Sequence, residues 1–316
     1  ADPLRQSAAR ALSQIAGHAA GTQQNGAAAT VLAVLIRGLD REEARPAARE
    51  AVRSAGATAV PLLLARLATG SGQAGQLEAV VGLIRDLAPT MSGDQRQAAA
   101  AELLVELRRA RMPREVIVDA LATVSGEEGL APLVSLLSDI DAEVRLHAMR
   151  GLCALSRIDS KAQDAVVAAS RDGSPLLRAQ AAQVLSHLPL AQASGRLREL
   201  LQDPVTEVRL AAAQAVSDGA GRTTTAEAGA LQGQLDGALI PTLLRVASAP
   251  AESPSEVRVR RTAAVALGRL AGLQPGLRTT VTSGVQAAIN GLRAAGLKID
   301  LVGALAIALR GAGPVG

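Results

Sequence analysis

The chain contains no phenylalanine, tyrosine or tryptophan. It offers no Phe, Tyr or Trp ring to stack on a nucleobase, which removes the aromatic platform that single-strand binding usually employs. One cysteine, Cys153, leaves no intramolecular disulfide and no cysteine-based zinc site. Lysine is confined to Lys161 and Lys298, so arginine carries nearly all the positive charge. The three histidines, His18, His147 and His187, are far apart, and none stands at metal-ligand spacing from another. No apolar run reaches the ~18 residues that a membrane-crossing helix needs. Phosphate-loop, dinucleotide and nucleophile-elbow motifs are missing, and glycine-rich pieces such as Gly70-Ser71-Gly72 read as turns. These absences point to a protein that is not an enzyme and uses no metal or other cofactor.

What the chain has instead is aliphatic. Hydrophobic residues make up 48%, so the core must be built from Ala, Leu, Val and Ile, modest volumes that suit closely approaching helices. At 316 residues it is long for one core and ordinary for a stack of repeats. The stretch from Gly129 to Leu155 shows the unit. An apolar helix has Pro132 near its start, where a missing N–H costs little. A turn with Ser138, Asp139 and Asp141 can cap the second helix. That helix places Val144, Ala148, Gly151 and Leu152 on one face. Taking Arg145 as a marker, those residues lie at −1, +3, +6 and +7.

Related copies have markers at Arg5, Arg45, Glu78, Arg114, Arg178, Arg209 and Arg260. From residue 45 onward the intervals are 33, 36, 31, 33, 31 and 51. The first five fall in the range of stacked repeats, and the last is one period plus an insertion. The expected architecture is an all-α, right-handed α-solenoid of about eight helix pairs. It forms a single array over residues 1–316, with a loop at 17–26, an insertion at 219–237 and an atypical C-terminal capping pair at 276–310. Thr224 and Glu227 stand at capping-box spacing, which predicts a short extra helix in the insertion. The chain opens on Ala1-Asp2-Pro3, inside a second-helix pattern, which points to sequence removed upstream. That start leaves the compartment open between cytoplasm and export.

Several pieces resemble HEAT repeats, most closely the phycobilisome-lyase-like subclass. They are the first-helix form Ala131-Pro132-Leu133 with Leu136-Leu137, the turn Asp141, Glu143-Val144-Arg145, and the Ala/Leu ladder behind each marker. Asp203 with Glu207-Val208-Arg209, and Ser255-Glu256-Val257-Arg258, repeat the theme. The resemblance spans nearly the whole chain. It implies that a turn aspartate and a second-helix arginine bond between neighbouring repeats. Here that falls on Asp139, Asp172 and Asp203 with Arg145, Arg178 and Arg209, which are read as structural. Activity does not follow from the fold. The di-iron hydroxylases of this class use His-Glu pairs, its DNA glycosylases use tryptophans, and its bilin lyases handle a large chromophore. This chain has neither the pairs nor any aromatic residue.

The outward face of the second helices is expected at +1, +5 and +8. It supplies the candidate partner-binding residues Arg10, Glu50, Asp119, Arg150, Gln183, Gln214 and Arg261. Ala79, Leu83 and Leu146 fall at the same positions. The strip is mixed in charge, whereas a duplex-DNA groove should be uniformly basic. Net charge is +4 overall, and the segment from Gly221 onward holds +5 against +2 and −3 for the two preceding segments. Arg258, Arg260, Arg261 and Arg269 form its best basic patch. Cys153 at +8 reads as a small, partly exposed side chain. The reading is thus a scaffold or adaptor binding a protein partner along the concave face. Nucleic-acid binding through the basic C-terminal quarter is one alternative, and a spacer for other domains is another.

Overall fold

The computed structural model describes residues 25–70, 72–126, 130–155, 159–250 and 253–294. Among them are 16 α-helices and no strand. In order these are α1 (Asn25–Gly38), α2 (Arg45–Ser54), α3 (Val60–Thr69), α4 (Ala74–Leu87), α5 (Gly93–Arg109), α6 (Arg114–Ser125), α7 (Leu130–Leu136) and α8 (Ala142–Cys153). There follow α9 (Ser160–Ala169), α10 (Pro175–Leu185), α11 (Leu190–Leu200), α12 (Thr206–Arg222), α13 (Thr225–Gln234), α14 (Ile240–Ser248), α15 (Pro254–Leu273) and α16 (Pro275–Ala294). The marker at Arg5, the candidate Arg10, His18 and the end of the capping pair expected at 276–310 lie outside the described residues.

Helix starts follow local chemistry. Asp141 caps α8 by accepting from the Glu143 N–H at 3.0 Å. Ser92 with Gln95, Thr224 with Glu227 and Ser253 with Glu256 form reciprocal capping boxes at α5, α13 and α15. Pro61 and Pro241 sit in the first turns of α3 and α14, where no helical N–H is lost. Gly70 ends α3 in the left-handed conformation, φ 61°.

The chain divides into two compact units, Ala1–Arg157 and Ile158–Gly316. The first contains the pairs α1–α2, α3–α4, α5–α6 and α7–α8. Its second helices α2, α4, α6 and α8 pack each on the next, and α1, α3 and α5 form a row behind them. In the other unit α10, α12 and α15 make the second-helix row, partnered by α9, α11 and α14. Each unit is therefore a two-layer α-solenoid. The helix α13 is additional, joined to α14 by a π-helical turn at Leu235–Leu239, and α16 packs on both α14 and α15.

The small residues of the repeat set the spacing between helices. Val144, Ala148, Gly151 and Leu152 are all buried, as their periodicity requires. A Cβ added at Gly151 would lie 2.7 Å from Ala122 Cβ on α6 and 3.0 Å from Leu133 on α7. Glycine is thus what lets α8 seat against both. The rest of the space is filled largely by leucine, such as Leu63, Leu67, Leu103 and Leu133, each fully buried. Removing one such side chain costs about 2–5 kcal/mol.

Candidate functional site

The second-helix rows carry two sets of polar contacts, one in the turns and one along the exposed face. The turn set joins repeats. Arg114 at the start of α6 donates to both carboxylate oxygens of Asp139 in the following hairpin, at 2.8 and 2.6 Å. Asp139 is already fixed by accepting from the Asp141 N–H at 3.0 Å. Its main-chain carbonyl accepts from Arg145 at 2.9 Å, in the same repeat. The design recurs in the other unit. Arg178 donates to Asp203 at 2.8 and 2.9 Å, and to the carbonyls of Asp172 and Gly173 in its own turn. The Arg114 hydrogen bonds hold Asp139 below the usual carboxylate range against the opposing effect of burial. At Asp203, burial pushes upward and is outweighed by Arg178 and the Val205 N–H. The sequence pointed to this class of bond but missed Arg114 as a donor, because its helix begins on Pro113 without the turn aspartates of the better copies.

A buried pair in the first unit left no trace in the sequence pattern. Glu106 is completely buried on α5, and both its oxygens meet the Arg111 guanidinium, Nε at 2.8 Å and Nη2 closer still. Arg111 also donates to the Leu67 carbonyl at 3.0 Å. Its guanidinium fills the place a side chain at Gly70 would take, with Nη1 1.0 Å from that Cβ position. The pair ties the ends of α3 and α5 together and is structural.

The exposed face is narrower than the sequence suggested. Leu83 is fully buried, and Ala79 and Leu146 are buried as well, although +1 and +5 were expected to point outward. A second helix in the row is covered by its own first helix and by the second helices on either side. The open arc is therefore narrower and differs from copy to copy: Leu83 at +5 and Val80 at +2 are fully buried, whereas Glu50 and Arg150 at +5 are exposed. In the first unit this arc presents Glu50, exposed and 2.9 Å from Arg53. Arg53 crosses to Asp86 on α4 at 2.7 Å. On the next two helices, Asp119 accepts from His147 Nδ1 at 2.6 Å, and Arg150 is exposed beside them on α8. The row α2, α4, α6 and α8 carries these groups on successive helices. His147, considered in the sequence only as a metal ligand, belongs to this polar ribbon.

In the second unit Gln183 on α10, Gln214 on α12 and Arg261 on α15 are all exposed. Gln214 donates to Asp218 at 3.1 Å, and Asp218 stands 3.4 Å from Arg269. The basic patch is broken up. Arg260 is only 8% exposed and donates to the Ala249 carbonyl, while Arg269 is engaged by Asp218 and by the Ser217 carbonyl at 2.9 Å. A cleft of about 380 Å³ opens where the added helix α13 faces the α10–α11 turn. His187, Leu190, Arg222 and Leu231 are among its walls. Partial burial and the nearby positive charge of Arg222 lower the His187 pKa, with Asp218 opposing.

Among the described residues no three His, Cys, Asp or Glu side chains stand close enough to share a metal ion. Cys153 is half-buried, and burial raises its pKa, which keeps the thiol protonated and unreactive. No helix among the described residues is by itself long and apolar enough to cross a membrane. Residues 130–217 match the family model for HEAT repeats. The matched segment begins with α7 and ends within α12, and it supports a HEAT-repeat protein. No curated protein matches the chain.

Proposed function

We propose that this HEAT-repeat chain is a non-enzymatic scaffold or adaptor that holds a protein partner along the exposed edge of its second helices, the concave side of HEAT arrays. The ribbon Glu50, Asp119, His147 and Arg150 supports this reading. It is polar, of mixed sign and, with Asp86 on α4, presented on successive packed helices, which suits an extended segment more than a small molecule. The aromatic anchors common in interfaces must then be the partner's, since this chain has none. Gln183, Gln214 and Arg261 offer an equivalent edge in the second unit. Kinship with the phycobilisome-lyase-like subclass rests on the Ala131-Pro132-Leu133 motif and brings no chromophore chemistry with it. The dispersal of the basic patch counts against nucleic acid.

The test is affinity capture from source lysate with the intact chain, repeated with Asp119→Arg and Arg150→Glu. Both are surface changes, and circular dichroism should be unaltered. The expected outcome is at least a tenfold loss of the specific partner with each. Undiminished recovery in both variants would sink the ribbon reading and leave the spacer alternative in its place.

A further inference from the structure

The added helix α13 stands off from the α10–α11 turn, leaving the cleft of about 380 Å³ between them. Its sides are largely apolar. Pro189 and Ala191 face it from the turn and the start of α11, and Ala230 and Leu231 face it from α13. Pro189, Ala191 and Ala230 are exposed, so uncovered hydrocarbon lines the opening. His187 and Arg222, both exposed, add an imidazole and a guanidinium close enough for the charge of one to act on the other. Arg222 makes no hydrogen bond or ion pair among the described residues. Glu227, on the α13 side, is engaged by its own helix: its carboxylate accepts from the Thr224 N–H at 2.8 Å and from the Thr224 hydroxyl at 2.9 Å.

The cleft is continuous with the exposed edge of the second helices. Gln214, Asp218 and Arg222 recur every four residues along α12 and so share one face of it. Gln183 leads in the same way along α10 to His187, in the turn beyond. Counted from the markers, His187, Asp218 and Arg269 all stand at +9. A segment lying along Gln183 and Gln214 therefore reaches the cleft without leaving the edge. Past Arg222 and Thr223 a more open depression continues to Arg269 and Leu273 on α15. Asp218 in that depression is already 3.4 Å from Arg269. Arg222 thus separates an apolar hollow from a polar shelf.

We propose that this cleft receives one aromatic side chain of the bound protein, and that an acidic residue beside that side chain pairs with Arg222. The proposal rests on the protein-binding reading above and names the anchor which that reading requires, since this chain has no Phe, Tyr or Trp of its own to give. A ring suits these walls better than an aliphatic chain. The Arg222 guanidinium can stack on its face, a contact that an aliphatic side chain does not offer. A large ring also buries about 150–250 Å² of surface, enough to cover the hydrocarbon at the opening. A carboxylate on the neighbouring residue gains charge-assisted hydrogen bonds from the same guanidinium. The ring further supplies apolar contact to α13, in which only Ala228 is fully buried. Occupancy should therefore steady that helix.

Because the chain has no tryptophan, indole fluorescence reports the ligand alone. The probe is the blocked peptide acetyl-Gly-Trp-Glu-Gly-amide, titrated into the full chain. Its emission is expected to move to the blue and saturate, and the α13 amides to exchange more slowly in the complex. Ala230→Leu fills the cleft from an exposed helical position. It should weaken the peptide roughly tenfold or more with an unchanged circular dichroism spectrum. A peptide with Leu in place of Trp, read by competition, should lose a similar factor. Arg222→Gln should weaken the Trp-Glu peptide more than a Trp-Gln peptide, and equal losses would overturn the acid pairing. The anchor itself is overturned by no blue shift at millimolar peptide, by equal affinity for parent and Ala230→Leu, or by a leucine peptide that binds as tightly. N-acetyltryptophanamide binding as tightly as the peptide would also overturn it, in favour of a small-molecule pocket. The two readings fail separately. Partner capture lost in Arg150→Glu but undiminished in Ala230→Leu keeps the ribbon and sinks the anchor. Peptide binding lost in Ala230→Leu, with capture untouched by Asp119→Arg and Arg150→Glu, keeps the anchor and sinks the ribbon.

Discussion

At the residue scale, the polar contacts that matter are carboxylates held by arginine. Asp139 has a folded-state pKa lowered below 3.8 by Arg114 and, in smaller part, by the Asp141 N–H. A depressed carboxylate stabilises the fold fully above its unfolded pKa and loses that contribution as pH falls through the folded value. Asp139→Asn should therefore cost about 1–2 kcal/mol at neutral pH. Its melting temperature should also fall less steeply than the parent's below about pH 4. Equal slopes in pH-dependent thermal melts would show that Asp139 is not held this way. Gly151→Ala places a methyl group 2.7 Å from Ala122 Cβ, both on packed helices, and should destabilise by about 1–3 kcal/mol in denaturant titration. A neutral result would mean that α8 can shift at no cost. The core residues were legible because periodicity alone selects them. The Glu106–Arg111 pair was not, since nothing in sequence reveals that Arg111 reaches the end of α3 beneath Gly70.

At the element scale, caps and apolar faces were readable, and the exposed face was not. Periodicity locates the side that meets the partner helix, but it does not report a third and fourth neighbour. Leu83 and Leu146 are covered by those neighbours. The helix α12 likewise runs through Gly219 to Arg222, beyond the expected break, because Gly219 and Ala220 are buried in packing that offsets glycine's low propensity. The added helix α13 is the opposite case. Its capping box was legible from Thr224 and Glu227, yet Ala228 is its one fully buried apolar residue, against six such residues in α12 counting Val208, Ala212, Ala213, Ala215, Val216 and Ala220. Local opening should therefore be easier in α13. Hydrogen-exchange mass spectrometry is expected to show its amides exchanging at least 100-fold faster than those of α12. Comparable protection in the two would mean that α13 is stabilised by something other than its own burial.

At the scale of the whole molecule, each unit has a core of its own and each repeat leans mainly on its neighbours. Stability should then be a sum of local terms and not one all-or-none quantity. Calorimetry is expected to resolve more than one component, with the calorimetric enthalpy exceeding the van't Hoff value. Leu133→Ala should lower one component and Leu267→Ala another, each by about 2–5 kcal/mol. If both components move together in either variant, the chain unfolds as a single cooperative body. The Asp139 and Asp203 turns carry a further consequence. Each turn accepts an arginine from the repeat before it and offers a carbonyl to the arginine of its own repeat. Plug and socket are thus encoded within a single period of the gene. Duplicating or deleting one whole period leaves matching joints at the scar, so such an array can change length in evolution without inventing a new interface.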